Sequence, residues 1–255
     1  MICHHLKFGN KYKNAKVQCY QVVSAILYRL KTGCQWRQLP IRQFFRGAYS
    51  WKSVFYHFQK WCKDGSWDRL WQALLCTNKK SLDMSCVQLD GTHTLVKRGG
   101  ASVGYQGRKK GKTTNILILT DAKGTPVSCS EPMSGEHNDA YELVKMFKPM
   151  LEHLDKCKIA KEGLFLNADA GFDVMEFRKY CQEKEIFDNI DLNPRNGIDR
   201  KVFFDNLLYK NRFVIERTNA WMDAFKALLV RFETNSLHWK SLCILAFIVI
   251  LIRQL

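Results

Sequence analysis

The first 80 residues contain no glutamate and only two aspartates, Asp64 and Asp68, against 15 Lys and Arg; this stretch carries +13 of the chain's net +16. A segment so short of acid repels itself when folded and calls for a polyanionic partner, of which a phosphate backbone is the simplest. An anionic membrane would serve by charge alone, but the basic residues are scattered through helical patterns with large aromatic cores and form no single amphipathic surface helix. None of the ten cysteines stands in a Cys-x-x-Cys pair, which excludes a zinc ribbon or a dithiol redox motif and leaves them as small apolar residues of a reduced cytoplasm. The start, Met1-Ile-Cys-His-His, lacks the apolar centre of a signal peptide, so secretion is not expected. Residues 242–252 are continuously apolar but fall short of the ~18 residues of a spanning helix, and are expected as a buried core helix.

Two stretches point to chemistry. Residues 164–173 read Leu-Phe-Leu-Asn-Ala-Asp-Ala-Gly-Phe-Asp: an apolar run that ends in a carboxylate, then a glycine that lets the backbone turn. Asp169 is thus expected at the carboxyl end of a strand, the edge of an α/β sheet where ligands gather, with Asp173 and Glu176 capping the next helix. Residues 85–89 lead in the same way into Asp90, followed by Gly91, Thr92 and His93, which reads as a second strand ending in Asp. A third carboxylate, Glu216, opens a helical pattern through Trp221, Phe225 and Leu229, with Ile215, Met222, Phe225 and Leu229 as its apolar stripe. A few carboxylates with room for water and phosphate suit a hard divalent cation such as Mg2+.

Around these lie the elements of one catalytic domain over residues 81–255 and a smaller module over residues 1–80. In the front module Val22, Val23, Ile26, Leu27 and Leu30 follow helical spacing, as do Trp51, Val54, Phe55, Phe58 and Cys62, and again Trp67, Leu70, Trp71, Leu74 and Leu75. A Gly33-to-Pro40 connector is expected to tuck Trp36 and Leu39 under this bundle and leave Arg37 facing out. The Trp and Phe stripes read as core, not as platforms for bases. The helix after Ser50 places Lys52, His57 and Lys60 off its apolar face and resembles the recognition helix of a helix-turn-helix.

Further on, Lys97 and Arg98 precede two glycines, and Arg108, Lys109, Lys110 and Lys112 are interleaved with Gly107 and Gly111 in what reads as a mobile basic loop that approaches phosphates. Strands over residues 115–121 and 125–130, joined by a turn at 122–124, form an antiparallel meander with the first. Residues 135–139 then precede a helix through Leu143, Met146, Phe147 and Leu151. His137 is either a site residue or part of that helix's cap, and Asn138 or Asp139 is expected as the cap. A helix over 174–184, a strand over 186–192 and a basic loop over 193–197 follow.

The segments Gln88-Leu-Asp-Gly-Thr-His93, Asn167-Ala-Asp-Ala-Gly-Phe-Asp173 and Phe213-Val-Ile-Glu-Arg-Thr-Asn-Ala-Trp221 resemble the three signature blocks of bacterial insertion-sequence transposases of the DDE class, in the branch named after insertion sequences four and five. The resemblance runs from about residue 33 to the end. It implies an α/β fold, a ribonuclease-H-like mixed sheet with flanking helices, behind an all-helical DNA-binding module. It implies that Asp90, Asp169 and Glu216 are the catalytic and metal-holding residues, that two Mg2+ ions are used with Mn2+ as substitute, and that the substrate is double-stranded DNA at the element's inverted repeats and at a target. Such ions, about 3.5 to 4 Å apart, activate a water and stabilise the leaving 3′ oxygen, so no Ser or Tyr nucleophile is required and none of the carboxylates needs an unusual pKa. A homodimer on DNA in a bacterial cytoplasm, at the nucleoid, is likewise implied. DNA contacts are expected from Arg37, Arg46, Lys52, Lys60, Lys97, Arg98, Arg108, Lys109, Lys110, Lys112, Arg212, Arg217 and Lys226. The family usually places Lys or Arg seven residues after the Glu, where this chain has Asp223, which leaves Arg217 or Lys226 to make that contact. A nuclease that cuts without joining, or a regulator that binds DNA without cutting, uses subsets of the same residues.

Overall fold

The computed structural model describes residues 5, 6, 8, 17–196 and 202–255, so Cys3, the first four residues and the end of the 193–197 loop lie outside it. The front of the chain folds into the three expected helices, α1 (Cys19–Thr32), α3 (Trp51–Lys63) and α4 (Ser66–Asn78), with a short α2 (Ile41–Phe44) that the spacing does not announce. Ser50 caps α3 by accepting from the Lys52 N–H, and α1 ends at Gly33, which takes the left-handed φ of 69° that a glycine tolerates best. Gly33 also meets the backbone of Lys226, where a β-carbon would sit 3.0 Å from a carbonyl carbon. Trp36 tucks against Phe55 and Phe58, Leu39 is buried and Arg37 is exposed. The Trp stripe is core, since Trp61, Trp67 and Trp71 are at most 1% exposed. His57 departs from its expected outward position: it is buried, stacked on Phe8 and tilted on Trp61. Its apolar surroundings and the nearby Lys60 push its pKa down.

The rest is a mixed sheet with helices on it. β1 (Val87–Val96) pairs antiparallel with β3 (Gly111–Thr120) along its length, and β3 carries the short β2 (Gly104–Gln106), β4 (Pro126–Cys129) and β5 (Met133–Ser134). On the other side of β1 comes β6 (Phe165–Ala168), parallel, and then β7 (Phe187–Ile190), also parallel. An antiparallel meander followed by two parallel strands, with α5 (Leu143–Lys156) and α6 (Met175–Glu183) as crossovers, is the ribonuclease-H-like arrangement anticipated from the motifs. The basic segment expected as a loop is a hairpin. Residues 107–110 form its turn, while Lys112 to Thr114 are already strand and pair with β1 or β2.

Three further elements depart from their expected bounds. The pattern after Glu216 does not run as one helix: α8 (Phe213–Asp223) stops, Phe225 is extended, and α9 (Lys226–Leu229) leads into β8 (Val230–Arg231). The break turns Phe225 and Leu228 inward together and leaves Leu229 out of the stripe. Asp173 does not cap α6; its carboxylate accepts from Arg178 Nε at 2.8 Å and from the Asn193 N–H. The apolar run near the end belongs to α10 (Ser236–Gln254), whose 19 residues reach the length and hydropathy of a membrane span. Most of that span is buried inside the protein, against α4, α3, α8 and α9, which makes it the core helix expected. Trp71 of α4 lies 5.3 Å from Phe247, centroid to centroid, so the front helices and the sheet share one hydrophobic core. Each fully buried Leu, Ile or Phe there contributes about 1.5–3 kcal/mol. Of the nine described cysteines five are buried and four partly so.

His153 of α5 packs against Trp71 at 4.6 Å, and burial, with Lys240 and Lys156 nearby, pushes its pKa down from 6.5 to about 4. The unfolded chain therefore takes up this proton first. Stability present above pH 6.5 is expected to fall as pH drops toward 4, by up to about 3 kcal/mol. Melting curves from pH 7.5 to 4 for the parent and for His153→Phe test this, the variant lacking that slope; parallel profiles would rule His153 out as the titrating group.

Candidate active site

The last residues that β1 and β6 pair across their parallel ladder are Gln88 and Asn167. Two residues beyond each, on the same face by the alternation of a strand, come Asp90 and Asp169. Asp169 stands immediately after β6, where its Oδ1 accepts the Gly171 N–H at 2.8 Å and fixes the turn. Asp90 is not at a strand end. It sits inside β1, which continues through the β-branched residues Thr92, Thr94 and Val96 because β3 pairs with it as far as Leu95.

Glu216 reaches the pair from α8, and a buried polar ladder sets where α8 begins. Asn189 of β7 donates to Asn167 Oδ1 at 2.8 Å, and Asn167 donates to the Leu208 carbonyl at 2.9 Å. Asn189 exchanges bonds with the backbone of Asp205, whose side chain caps α7 (Asn206–Tyr209) through the Leu207 and Leu208 N–H groups. The two asparagines thus anchor the turn that enters α8. From α8, Asn219 bonds Thr92 Oγ1 at 3.1 Å and Asp90 Oδ2 at 3.4 Å.

Asp90, Asp169 and Glu216 line one cleft of about 670 Å3, together with His93, Arg108, Lys109, Asp139, Arg212, Asn219 and Asp223. Arg212 lies between two of them, 4.0 Å from Asp90 Oδ1 and 3.8 Å from Glu216 Oε1. Burial pushes the Asp90 carboxyl up to about 6; Arg212 opposes this, and Asp139, Glu216 and Asp169 add to it. The metal-holding role needs no unusual pKa, yet Asp90 has one, because only 17% of its side chain is exposed and three carboxylates face it.

Among the described residues no three His, Cys, Asp or Glu side chains close on a single point in the manner of a prebuilt metal cage. The donor set fits a looser site. All its ligands are oxygens, five carboxylates line it, and Mg2+ characteristically takes one or two carboxylates and keeps waters for the rest.

Of the basic residues singled out in the sequence, Arg108, Lys109 and Arg212 line the cleft. Lys97, Arg98, Lys110 and Lys112 are exposed on β1's end and the neighbouring hairpin, while Lys52 and Lys60 lie on α3, Arg37 in the turn between α1 and α2, and Arg46 in the bend that follows α2. Arg217 turns away, donating to the Lys123 carbonyl at 2.5 Å and covering Trp221. Neither it nor the exposed Lys226 takes the place beside the carboxylates, which Asp223 occupies. Asp139 was expected to cap α5, but α5 starts four residues later without a side-chain cap, and Asp139 is in the cleft instead. His137 stacks on Tyr141 and does not line the cleft.

Residues 81–251 match the family model described as "Transposase DDE domain", and residues 2–71 match one described as "Putative transposase of IS4/5 family". A curated relative, "Putative transposase for insertion sequence element IS402" of Burkholderia cepacia, is 29% identical over 122 residues, 47% of this chain and 53% of the relative. The chain thus spans about half the length of the curated relative it matches. Among solved structures, "Mos1 transposase paired-end complex with left transposon end" aligns with 91% of this chain and 78% of its own at 11% identity and a TM-score of 0.33. "Crystal structure of the Mos1 mariner paired end complex with Mn" aligns with 99% and 86% at 12% identity and a TM-score of 0.33. Both superpositions are too loose to carry any reading of this site.

Proposed function

Because this chain belongs to the DDE transposases of the IS4/5 type, we propose that it binds the ends of an insertion sequence, cuts the DNA there and joins the freed 3′ end to a target. The observation that carries the reading is the shared register of Asp90 and Asp169 on adjacent parallel strands, with Glu216 brought over them in one cleft edged by Arg108, Lys109 and Arg212. Asp90, Asp169 and Glu216 are the residues that would hold divalent cations, Mg2+ by preference. When bound, such ions polarise the scissile phosphate, activate a water or 3′ hydroxyl and stabilise the leaving oxygen.

The chain's own groups do the rest. Arg108 and Lys109 at the hairpin turn hold the phosphate backbone against the cleft, and Lys97, Arg98, Lys110 and Lys112 extend that contact. Arg212, placed between two carboxylates, turns its guanidinium to the phosphate oxygens. Arg37, Arg46, Lys52 and Lys60 of the front module hold the flanking duplex, which makes end binding steeply salt dependent, at about 0.9 counterion released per neutralised phosphate. The working form is a homodimer across two ends in the bacterial cytoplasm, at the nucleoid.

The test is a strand-joining assay with pre-cut ends in Mg2+ or Mn2+, run beside cleavage of uncut ends and beside the same reactions of Asp169→Asn. Joining by the parent and its loss in a variant that still binds ends and melts as the parent does is the expected result. Cleavage without joining would make the protein a nuclease; binding with neither would make it a regulator. Cleavage at the parental rate by well-folded Asp169→Asn would overturn the three-carboxylate assignment.

A further inference from the structure

Gly91 follows Asp90 in a strand with ordinary backbone angles, so its lack of a side chain answers a need for space. A β-carbon there would stand 2.0 Å from Asp139 Oδ1 and 2.4 Å from its Cγ. The carboxylate of Asp139 therefore fills the place where any other residue would put its side chain, hard against the backbone that carries Asp90.

Asp139 is aimed by residues of two strands. His93 and Asn115 stand directly opposite each other in the β1–β3 ladder and so present their side chains on one face. Asn115 Nδ2 donates to Asp139 Oδ1 at 2.6 Å, and His93 Nε2 lies 3.5 Å from the same oxygen. His93 is itself held by Thr113 Oγ1 at its Nδ1; its side chain is only 9% exposed, and its Nε2 makes no hydrogen bond among the described residues. A buried ring nitrogen left this way points into the cleft at a carboxylate that stays charged. Burial works to raise the Asp139 pKa, but His93 and Asn115 prevail and hold it below the ordinary range. Both contacts fall on Oδ1, and Oδ2 has no partner among the described residues.

We propose that Asp139 is a fourth carboxylate of this centre, fixed by Asn115 and His93, and that it contributes with Asp90 to holding a hard divalent cation. The proposal rests on the metal-dependent reading of the cleft given above and adds a residue to it. Of the three carboxylates that act on Asp90, Asp139 acts most strongly, ahead of Glu216 and Asp169. A glycine that makes room for an anion, two strand residues that aim it, and an adjoining acid it acts upon are what a ligand requires, whereas a helix cap requires none of them.

The experiment is Mn2+ binding to the intact chain without DNA, followed by electron paramagnetic resonance and calorimetry, with metal-free melting measured on the same preparations. Asp139→Asn keeps the shape and the acceptor for Asn115, and is expected to weaken Mn2+ binding about tenfold or more while melting only a little below the parent, because the charge that His93 and Asn115 favour is lost. Asn115→Ala leaves the carboxylate but removes the donor that aims it, and is expected to weaken Mn2+ binding to a smaller extent. Glu136→Gln, three residues away and exposed, serves as the control with unchanged affinity. Parental Mn2+ affinity in Asp139→Asn, with loss in Asp90→Asn, would overturn the assignment of Asp139 and leave the larger reading standing. Loss of affinity only in proportion to lost melting temperature, in both Asp139→Asn and Asn115→Ala, would overturn it in favour of a structural role. Absence of Mn2+ binding in the parent would overturn both.

Discussion

Asp90→Asn is expected to melt higher than the parent when metal is removed by a chelator, and to lose DNA cleavage by about 10^3-fold. The folded-state pKa of Asp90 is raised from 3.8 to about 6, so the native protein binds this proton more tightly than the unfolded chain does. The stabilisation from that proton is fully present below pH 3.8 and is lost as pH rises through 6, leaving at neutral pH a cost of about 3 kcal/mol for a charge taken out of water by burial, with three other carboxylates near it. An amide carries no such charge at any pH. The variant's advantage should therefore be several degrees at pH 7 and vanish as pH falls toward 4. Melting scans in chelator at both pH values, beside cleavage in Mg2+, measure the two halves; a variant that melts lower than the parent at pH 7 would mean that the contacts of the charged carboxylate with Arg212 and Asn219 outweigh the cost of its burial.

Arg29→Ala is expected to destabilise the protein by about 3 kcal/mol or more in denaturant titrations. Arg29 of α1 pairs with Glu233, just before α10, and the two side chains are only 5% and 7% exposed. Removing the guanidinium leaves a carboxylate buried with an Arg231 that is already committed to Thr114, to the Ala101 carbonyl and to the Glu233 carbonyl. Arg29→Met combined with Glu233→Leu should recover part of the loss, because that pair no longer has to be desolvated, while the buried Arg231 keeps its hydrogen bonds to Thr114 and the Ala101 carbonyl but loses its nearby acid. A loss below about 1 kcal/mol in the single variant would show that Arg231 alone balances Glu233.

The parts of this architecture that could be read from the chain were those where one local signal had one structural cause. The apolar run into Asp169 and the glycine after it can only be a strand and a turn, and the Trp and Phe spacing of α3 and α4 can only be buried. Reading failed where two causes leave the same trace. Asp-Gly-Thr-His at residues 90–93 has the composition of a turn, yet its glycine serves a side chain 48 residues later, and β3 keeps the strand going. Glu-His-Asn-Asp at 136–139 has the composition of a helix cap, and nothing local reveals that Asn115 and His93 claim the last of these acids. The helical period continues through Phe225 and Leu229, so the break between α8 and α9 is invisible until β8 is seen to pair with β1. A pKa depends on what converges in space, and Asp90's three acidic neighbours come from three other elements of the fold.

The burial of Trp71 against Phe247 bears on how such proteins can diversify. If the front helices read the ends of an element, an exchange of residues 1–80 between two transposases would look like the simplest way to change which ends are recognised. Here the two halves of the chain are sides of one core, with α10 lying between α3, α4 and the elements that carry Glu216. A grafted front segment would meet a foreign α10 and leave Trp71 and Arg29 without the partners they evolved against. New specificity is therefore more readily reached by exchanging exposed Lys and Arg one at a time on an unchanged helical frame, or by moving residues 17–80 and 233–254 as a single inherited unit.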